Sequence, residues 1–162
     1  MVKRMSQLSI AVVRRGRQVL LVQEHLEDGG PLAWSLPGGG VKEGETFVAA
    51  LARELEEEAG LEMLAVNRLA FVVNSSSPTH PSAVAIAFEV ECHEASTPSP
   101  RDSDIVAAEF MDVDDAIDRI ARVASIVQRD PIVGYLSGAA VPGTIWTFHT
   151  RDDGVEELVG RF

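Results

Sequence analysis

Three consecutive glycines followed by an amphipathic stretch constrain the fold of this chain more than any other feature. The stretch GGGVKEGETFVAALARELEEEAGL covers residues 38–61. Thr46 suits the N-cap of a helix, and Gly60 suits a helix end that needs a left-handed residue. Between them the apolar residues recur at helical spacing: Phe47, Val48, Leu51, Ala52, Leu55 and Ala59. The sequence therefore predicts a glycine turn that leads into a helix with one apolar face.

The same helix carries a group of glutamates with an unusual placement. At 100° per residue, Glu54, Glu57 and Glu58 fall within an arc of roughly 100° at the edge of the apolar face, whereas Glu56 points to solvent. Like charges at these spacings destabilise a helix by about 0.2–0.5 kcal/mol per pair, and partial burial raises at least one carboxyl pKa. A hard divalent cation would remove that repulsion, since Mg²⁺ prefers carboxylate, carbonyl and water oxygens.

The neighbouring residues decide between a metal site and a plain acidic helix. Taken alone, ELEEEAG is more typical of a solvated face. Gly38, Gly39 and Gly40 allow a main-chain carbonyl to face the carboxylates, because glycine turns without Cβ clashes. Arg53 lies four residues before Glu57 and can pair with it. We therefore favour a metal site.

The spacing of these residues resembles the Nudix box, the signature motif of the Nudix hydrolase family. The matching positions are Gly39, Glu45, Arg53, Glu54, Leu55, Glu57, Glu58, Gly60 and Leu61. The resemblance covers residues 5 to about 125 of one predicted domain spanning 1–162, and residues 126–162 form a C-terminal extension without a recognised motif. It implies an α/β (α+β) fold, a Nudix-type α/β/α sandwich with a mixed β-sheet.

The resemblance also implies an activity and a set of site residues. Nudix enzymes hydrolyse a phosphoanhydride bond in a nucleoside diphosphate linked to another moiety, with Mg²⁺ or Mn²⁺. By position, Glu54, Glu57, Glu58 and the carbonyl of Gly38 would hold the metal. Arg53, with Glu45 and Gly39 behind the ligands, would orient the carboxylates. The general base stays open: Glu57 or Glu54 is favoured, with Asp104 or Asp102 from a later loop, and Glu109, as the other candidates.

Several substrates and two other classes of protein stay open at this point. The box fits a nucleoside triphosphate, ADP-ribose or a nucleotide sugar. Pro78, 17 residues after Leu61, is a weak pointer to ADP-ribose by resemblance, and the absence of a tyrosine nearby disfavours dinucleoside polyphosphates. A Nudix-like sensor domain without catalysis is the main alternative, and the intact motif argues against it. A partner-binding module with an incidental acidic helix is a remote third.

Composition limits the partners. The chain has 162 residues and a net charge of −11, so it repels nucleic acid and anionic membranes unless cations intervene. A single cysteine, Cys92, excludes an internal disulfide and fits the cytoplasm. The first residues predict no signal peptide, and no apolar run is long enough to cross a membrane. A free sheet edge in the tail makes a homodimer possible.

The remaining elements follow from short-range patterns. We expect a hairpin from SIAVVRR and QVLLVQE, two strands from MLAVNRLAFVVN and SAVAIAFEVECH, and a strand from IVAAEFMDV. We expect one helix over DVDDAIDRIARVASIV and a short helix over DPIVGYLSG. A final hairpin would join GTIWTFHT to GVEELVGRF around the RDDG turn.

Overall fold

The computed structural model describes residues 4–26 and 28–162, which form a mixed sheet between helices. The first half of the chain contains strands β1 to β4 and helix α1, with the bounds Ser6–Arg15, Gln18–His25, Leu32–Ser35, Gly38–Gly40 and Phe47–Ala59. The second half contains β5, β6, β7, α2, α3, β8 and β9, with the bounds Met63–Ser76, Ala83–Cys92, Ala107–Asp112, Val113–Ile120, Ile126–Leu136, Thr144–Thr150 and Glu156–Arg161.

The sheet is ordered β3-β2-β1-β6-β5-β8-β9, with β4 paired to β1 and β7 paired to β2. Strands β1 and β6 run parallel, as do β5 and β8, and the other pairs are antiparallel. The predicted hairpins β1–β2 and β8–β9 are both present. Because β8 pairs with β5, the C-terminal strands extend the same sheet, while the division of the chain near residue 125 stays a prediction.

Two apolar clusters hold the layers together. One lies under α1 and includes Leu51 and Leu55, both with no exposed surface, together with Val90 and Cys92 of β6. The other lies under α2 and α3 and includes Phe71, Phe148 and Trp146. Fully burying a leucine or phenylalanine stabilises a fold by about 1.5–3 kcal/mol, so the two clusters fix α1 on one face and the other helices on the opposite face. The predicted α/β/α sandwich is confirmed.

One helix boundary was predicted wrongly. The residues expected to form one helix over 112–127 form the whole of α2 and the beginning of α3, with a break at 121–125. Ser125 causes a new start because its hydroxyl accepts the backbone N–H of Gln128 and also donates to Glu156 of β9. Val123, 8% exposed, is a buried apolar residue within this break.

The glycine segment also differs from the prediction. Residues 38–40 form the short strand β4, paired with β1, rather than a turn. A Cβ atom on Gly38 would lie 2.4 Å from the carbonyl oxygen of Ser9, so only glycine lets the two backbones approach this closely.

No helix in 4–26 or 28–162 is long and apolar enough to span a membrane.

Candidate metal and active site

Helix α1 presents the predicted glutamates and is capped at both ends as expected. The Thr46 hydroxyl accepts the N–H of Ala49 at 3.1 Å, and Gly60 adopts a left-handed conformation with φ 64°. A Cβ on Gly60 would lie 2.3 Å from the carbonyl oxygen of Ser99. The glycine therefore both ends the helix and admits the loop 99–104 against it.

That loop is fixed to the carboxyl end of α1 by backbone hydrogen bonds. The N–H of Ser99 donates to the Ala59 carbonyl at 2.7 Å, and the N–H groups of Arg101 and Asp102 donate to the Glu57 carbonyl at 2.9 and 2.8 Å. The Asp102 side chain in turn accepts the N–H of Asp104 at 2.9 Å. These bonds bring the two predicted loop aspartates to the end of the helix that carries the glutamates.

Arg53 is the centre of the carboxylate cluster. Its Nε and Nη2 atoms donate to the two oxygens of Glu45 at 2.7 and 3.0 Å, and Nη1 donates to Glu54 at 2.6 Å and to Glu57 at 3.3 Å. Nη2 also donates to the Gly40 carbonyl at 2.9 Å. The hydrogen bond from Arg53 lowers the pKa of Glu45 to about 2. The guanidinium therefore fixes the directions of three carboxylates and ties them to β4.

Glu58 is the buried member of the cluster, with 5% of its surface exposed. Burial raises the pKa of its carboxyl to about 8, and the charges of Glu24, Glu54 and Asp102 act in the same direction. The N–H of Gly38 donates to Glu58 Oε2 at 2.8 Å and partly offsets this shift. A buried carboxyl among other carboxyls is the environment in which a bound cation stabilises the ionised form.

The backbone of β4 separates the carboxylates from the interior. The Pro37 carbonyl accepts from Ala11 and the Val41 N–H donates to Gln7, so the alternation of a strand directs the peptide groups of Gly38 away from β1, toward Glu58. A Cβ on Gly39 would lie 2.5 Å from Glu54 Oε1. The Glu54 carboxylate therefore occupies the space that a side chain at Gly39 would fill. By the same strand alternation, the Gly38 carbonyl faces the carboxylate cluster.

The cluster includes a carboxyl that sequence reasoning missed. Glu24, at the end of β2, is half-buried; burial raises its pKa, and the charges of Asp102, Glu54 and Asp104 raise it further. Its proximity to these groups depends on where the end of β2 lies relative to α1 and the loop 99–104, which no local pattern reports. Glu109, another candidate, lies exposed on β7 opposite Leu21. Glu56 is exposed, as predicted, and pairs with Arg101.

The residues fit a divalent cation by the chemistry of their donors, although they are held by protein partners. All the predicted ligands supply oxygen, the donor that Mg²⁺ and Mn²⁺ prefer. Within 4–26 and 28–162, no group of three or more His, Cys, Asp or Glu side chains is already arranged to hold a metal ion. In this arrangement Arg53 engages Glu54 and Glu57, while the Gly38 N–H engages Glu58. The predicted ligand set stays a prediction.

A cavity of about 280 Å³ adjoins the cluster on the other side of β4. Side chains of β1, β5 and β6 line one wall, and α2 and α3 line the other. The end near the cluster is formed by Glu24, Ser35, Gly38 and Gly39. Trp34 is partly buried and lines this cavity as well as a second one that includes Arg119 and Arg122. The arrangement places a mainly apolar space directly beside the carboxylates.

Comparison with known proteins identifies the family. The family model described as NUDIX domain matches residues 4–129. "Nudix hydrolase 6" of Arabidopsis thaliana is 32% identical over 114 residues, which cover 65% of this chain and 38% of that protein. "Putative 8-oxo-dGTP diphosphatase 2" of Mycobacterium tuberculosis is 47% identical over 60 residues, which cover 36% of this chain and 43% of that protein. The chain belongs to the Nudix family, and both of these relatives are named as hydrolases.

The fold comparison agrees with this assignment. The crystal structure titled "mMutator MutT protein" from Bacillus halodurans superposes with a TM-score of 0.70 at 19% identity, covering 98% of this chain and 97% of that one. At this identity the likeness shows the fold alone. The matched stretches span only about two fifths of the length of the two curated relatives.

Proposed function

We propose that this chain is a divalent-cation-dependent pyrophosphohydrolase that cleaves a phosphoanhydride bond in a nucleoside diphosphate derivative. The observation that carries the proposal is the cluster of Glu54, Glu57 and buried Glu58, ordered by Arg53 and placed against the backbone of Gly38. An arrangement that confines several carboxylates at one place without a matching number of protein cations favours a bound metal ion.

The residues divide the work by their positions. The carboxylates of Glu54, Glu57 and Glu58, with the Gly38 carbonyl, would hold Mg²⁺ or Mn²⁺. A bound cation supplies positive charge to the diphosphate oxygens and makes a water more acidic. Arg53, which is itself held by Glu45, orients the carboxylates of Glu54 and Glu57 through hydrogen bonds. Glu57 takes the proton of the attacking water, because its side chain is 44% exposed and only a 3.3 Å contact holds it.

The loop aspartates are the alternative proton acceptors. The charges of both Asp102 and Asp104 act on Glu24, and that of Asp102 also acts on Glu58. Asp104 lies two residues after Asp102, and its backbone N–H donates to the Asp102 carboxylate. A reaction that survives loss of the Glu57 carboxylate but not of Asp104 would transfer the role to the loop.

The substrate class is a small nucleotide, namely a nucleoside triphosphate, ADP-ribose or a nucleotide sugar. The cavity beside β4 supports this class, since it offers an apolar space of about 280 Å³ for the group attached to the phosphates. The relative from Mycobacterium tuberculosis is named for 8-oxo-dGTP, which supports including oxidised triphosphates among the candidates. A non-catalytic nucleotide sensor is the second candidate, and the fully developed Arg53 network disfavours it.

A release assay tests the proposed function. Nucleoside triphosphates, their oxidised forms, ADP-ribose, nucleotide sugars and dinucleotides would be incubated with the protein in Mg²⁺ or Mn²⁺, and nucleoside monophosphate and phosphate release measured. We expect one group of substrates to be hydrolysed and EDTA to abolish the reaction. Binding of a nucleotide without turnover of any compound would favour the sensor instead.

Replacing Glu58 with glutamine is expected to separate stability from metal binding. In EDTA at pH 7.5, Glu58→Gln should be as stable as the parent chain or more stable by about 1–2 kcal/mol, because it removes a buried carboxyl from among other carboxyls. The glutamine can still accept the Gly38 N–H. Saturating Mg²⁺ should raise the Tm of the parent chain and leave that of the variant unchanged in thermal scans. An equal rise in both proteins would exclude Glu58 as a ligand.

We also propose a cytoplasmic location. The single cysteine, Cys92, is buried and free, which supports a reducing compartment.

We further propose a homodimer formed through β9. Among the described strands β9 pairs only with β8, and its edge exposes Val159 at 63% and the following Phe162 at 77%. Light scattering of the parent chain should give a dimer mass that Val159→Lys reduces to the monomer value. A monomer for both proteins would exclude this assembly.

A further inference from the structure

Glu24 belongs at once to the carboxylate cluster and to the wall of the apolar cavity. It lines the cavity beside Gly38 and Gly39, the residues that separate that space from Glu54 and Glu58. The register of β2 and β3 sets Glu24 opposite Ala33, one residue before Trp34 and two before Ser35. The Glu24 carboxyl therefore marks the junction between the proposed diphosphate site and the space beyond it.

Polar groups are few in this cavity, and they are unevenly distributed. Among the described residues that line it, polar side chains belong to Glu24, Ser35, Ser75 and Gln128. The Ser35 hydroxyl donates to the Leu36 carbonyl at 3.3 Å and offsets part of the rise in the pKa of Glu24, so Glu24 and Ser35 are a polar pair at the end nearest the cluster. Ser75 lies on β5, three strands from β2 in the sheet order, or about 14 Å at ordinary strand spacing. Glu24 and Ser35 therefore lie at a different place in the cavity from Ser75, which belongs to its far wall.

The covalent order of a nucleotide determines what meets this pair. In any nucleoside diphosphate derivative the ribose lies between the phosphates and the base. If the cluster holds the phosphates, the first group to enter the cavity past β4 is the ribose, and the flat apolar base follows it between the sheet and the helices α2 and α3. A carboxylate at the junction repels phosphate, which helps keep the charged groups on the metal side.

We propose that Glu24 accepts hydrogen bonds from the ribose hydroxyls and makes this chain select ribonucleotides over 2′-deoxyribonucleotides. This inference rests on the proposed function. Vicinal 2′ and 3′ hydroxyls present two donors at a spacing that two carboxylate oxygens can accept, the interaction by which an acidic residue recognises ribose in dinucleotide-binding folds. A half-buried carboxyl that has left water loses a partner when the 2′ hydroxyl is missing, so the deoxy substrate is disfavoured.

The test compares each ribonucleotide with its 2′-deoxy counterpart carrying the same base. For the parent chain with Mg²⁺, we expect kcat/KM to be about 10-fold or more higher for the ribonucleotide. Glu24→Ala should lower kcat/KM for the ribonucleotide to near the deoxy value while the deoxy value changes less than 3-fold. Glu24→Gln keeps one accepting oxygen and should retain part of the preference. A preference that survives Glu24→Ala, or a parent chain that prefers the deoxy form, would overturn the proposal.

Two controls keep the result specific. Ser75→Ala removes a polar group from the far wall and should leave the ribose-to-deoxyribose ratio unchanged. Loss of the Glu24 charge beside Glu58 should change the Mg²⁺ concentration for half-maximal activity by less than about 3-fold in Glu24→Ala, whereas a role as metal ligand would raise it by about 10-fold or more and overturn the assignment to ribose. Thermal scans of each variant verify that it is folded.

A binding measurement separates failure of this inference from failure of the proposed function. Calorimetry with non-hydrolysable methylene analogues of a ribonucleoside and a deoxyribonucleoside diphosphate requires no turnover. Binding about 10-fold tighter for the ribo analogue, lost in Glu24→Ala, would sustain the role of Glu24 even if hydrolysis is never detected. Hydrolysis with equal affinities for both analogues would sustain the proposed function and reject the role of Glu24.

Discussion

Replacing Glu57 with glutamine is expected to lower kcat/KM for the best nucleotide substrate by about 10²- to 10³-fold. The substitution preserves shape but removes both the charge and the basic oxygen that we assign to the proton of the attacking water. Because the Glu57 side chain is 44% exposed and holds Arg53 only at 3.3 Å, its loss should change Tm by no more than a few degrees. Steady-state kinetics in saturating Mg²⁺, with thermal scans, measure both quantities.

The helix provides a matched control for this experiment. Glu56 is adjacent in sequence, exposed, and paired with Arg101 on the opposite side of α1. Glu56→Gln makes the same chemical change outside the cluster and should retain activity within 2-fold. If Glu57→Gln also kept nearly full activity, the proton acceptor would have to be sought at Asp102 or Asp104. If both variants lost activity equally, the loss would reflect the helix rather than the site.

Arg53→Ala should have the second large effect, on both activity and stability. The arginine satisfies Glu45 through two hydrogen bonds and also contacts Glu54, Glu57 and the Gly40 carbonyl, with 19% of its side chain exposed. Its removal leaves carboxylates without their common cation, which we expect to reduce the free energy of unfolding by about 1–3 kcal/mol. Loss of direction at Glu54 and Glu57 should reduce kcat/KM by about 10²-fold.

A titration distinguishes this positioning role from a general loss of packing. Arg53 holds the pKa of Glu45 at about 2, so the pair stabilises the fold above the ordinary carboxyl pKa, and that stability falls as pH decreases toward 2. In Arg53→Ala the pKa of Glu45, measured by carbon NMR, should return toward its ordinary value. Arg101→Ala, which removes an exposed ion pair, should affect neither activity nor that pKa. An unchanged Glu45 pKa in Arg53→Ala would contradict the assigned contacts.

The parts of the site that sequence predicts are those set by local geometry. Helical periodicity placed Glu54, Glu57 and Glu58 on one edge and Glu56 on the other, and cap preferences located Thr46 and Gly60. These features depend on residues within one or two turns of each other. The resemblance added the family, which the family-model match over residues 4–129 confirms, while the roles of the motif residues stay a prediction.

The parts that sequence did not predict depend on contacts between distant segments. Glu24 meets the cluster only because the end of β2 lies near α1 and the loop 99–104, and a carboxyl near the end of an apolar strand gives no sign of those neighbours. Gly38 to Gly40 form a strand because they lie against β1, which a run of glycines does not reveal. The break before α3 likewise depends on Ser125 binding Glu156, 31 residues later.

The most direct test of the central claim is nucleotide hydrolysis by protein stripped of metal with EDTA, then titrated with Mg²⁺ or Mn²⁺ beside Glu57→Gln. Our account predicts no detectable release before the cation is added, saturable recovery in the parent chain, and recovery at least 100-fold lower in the variant. Undiminished hydrolysis in EDTA, or equal recovery in both proteins, would contradict it.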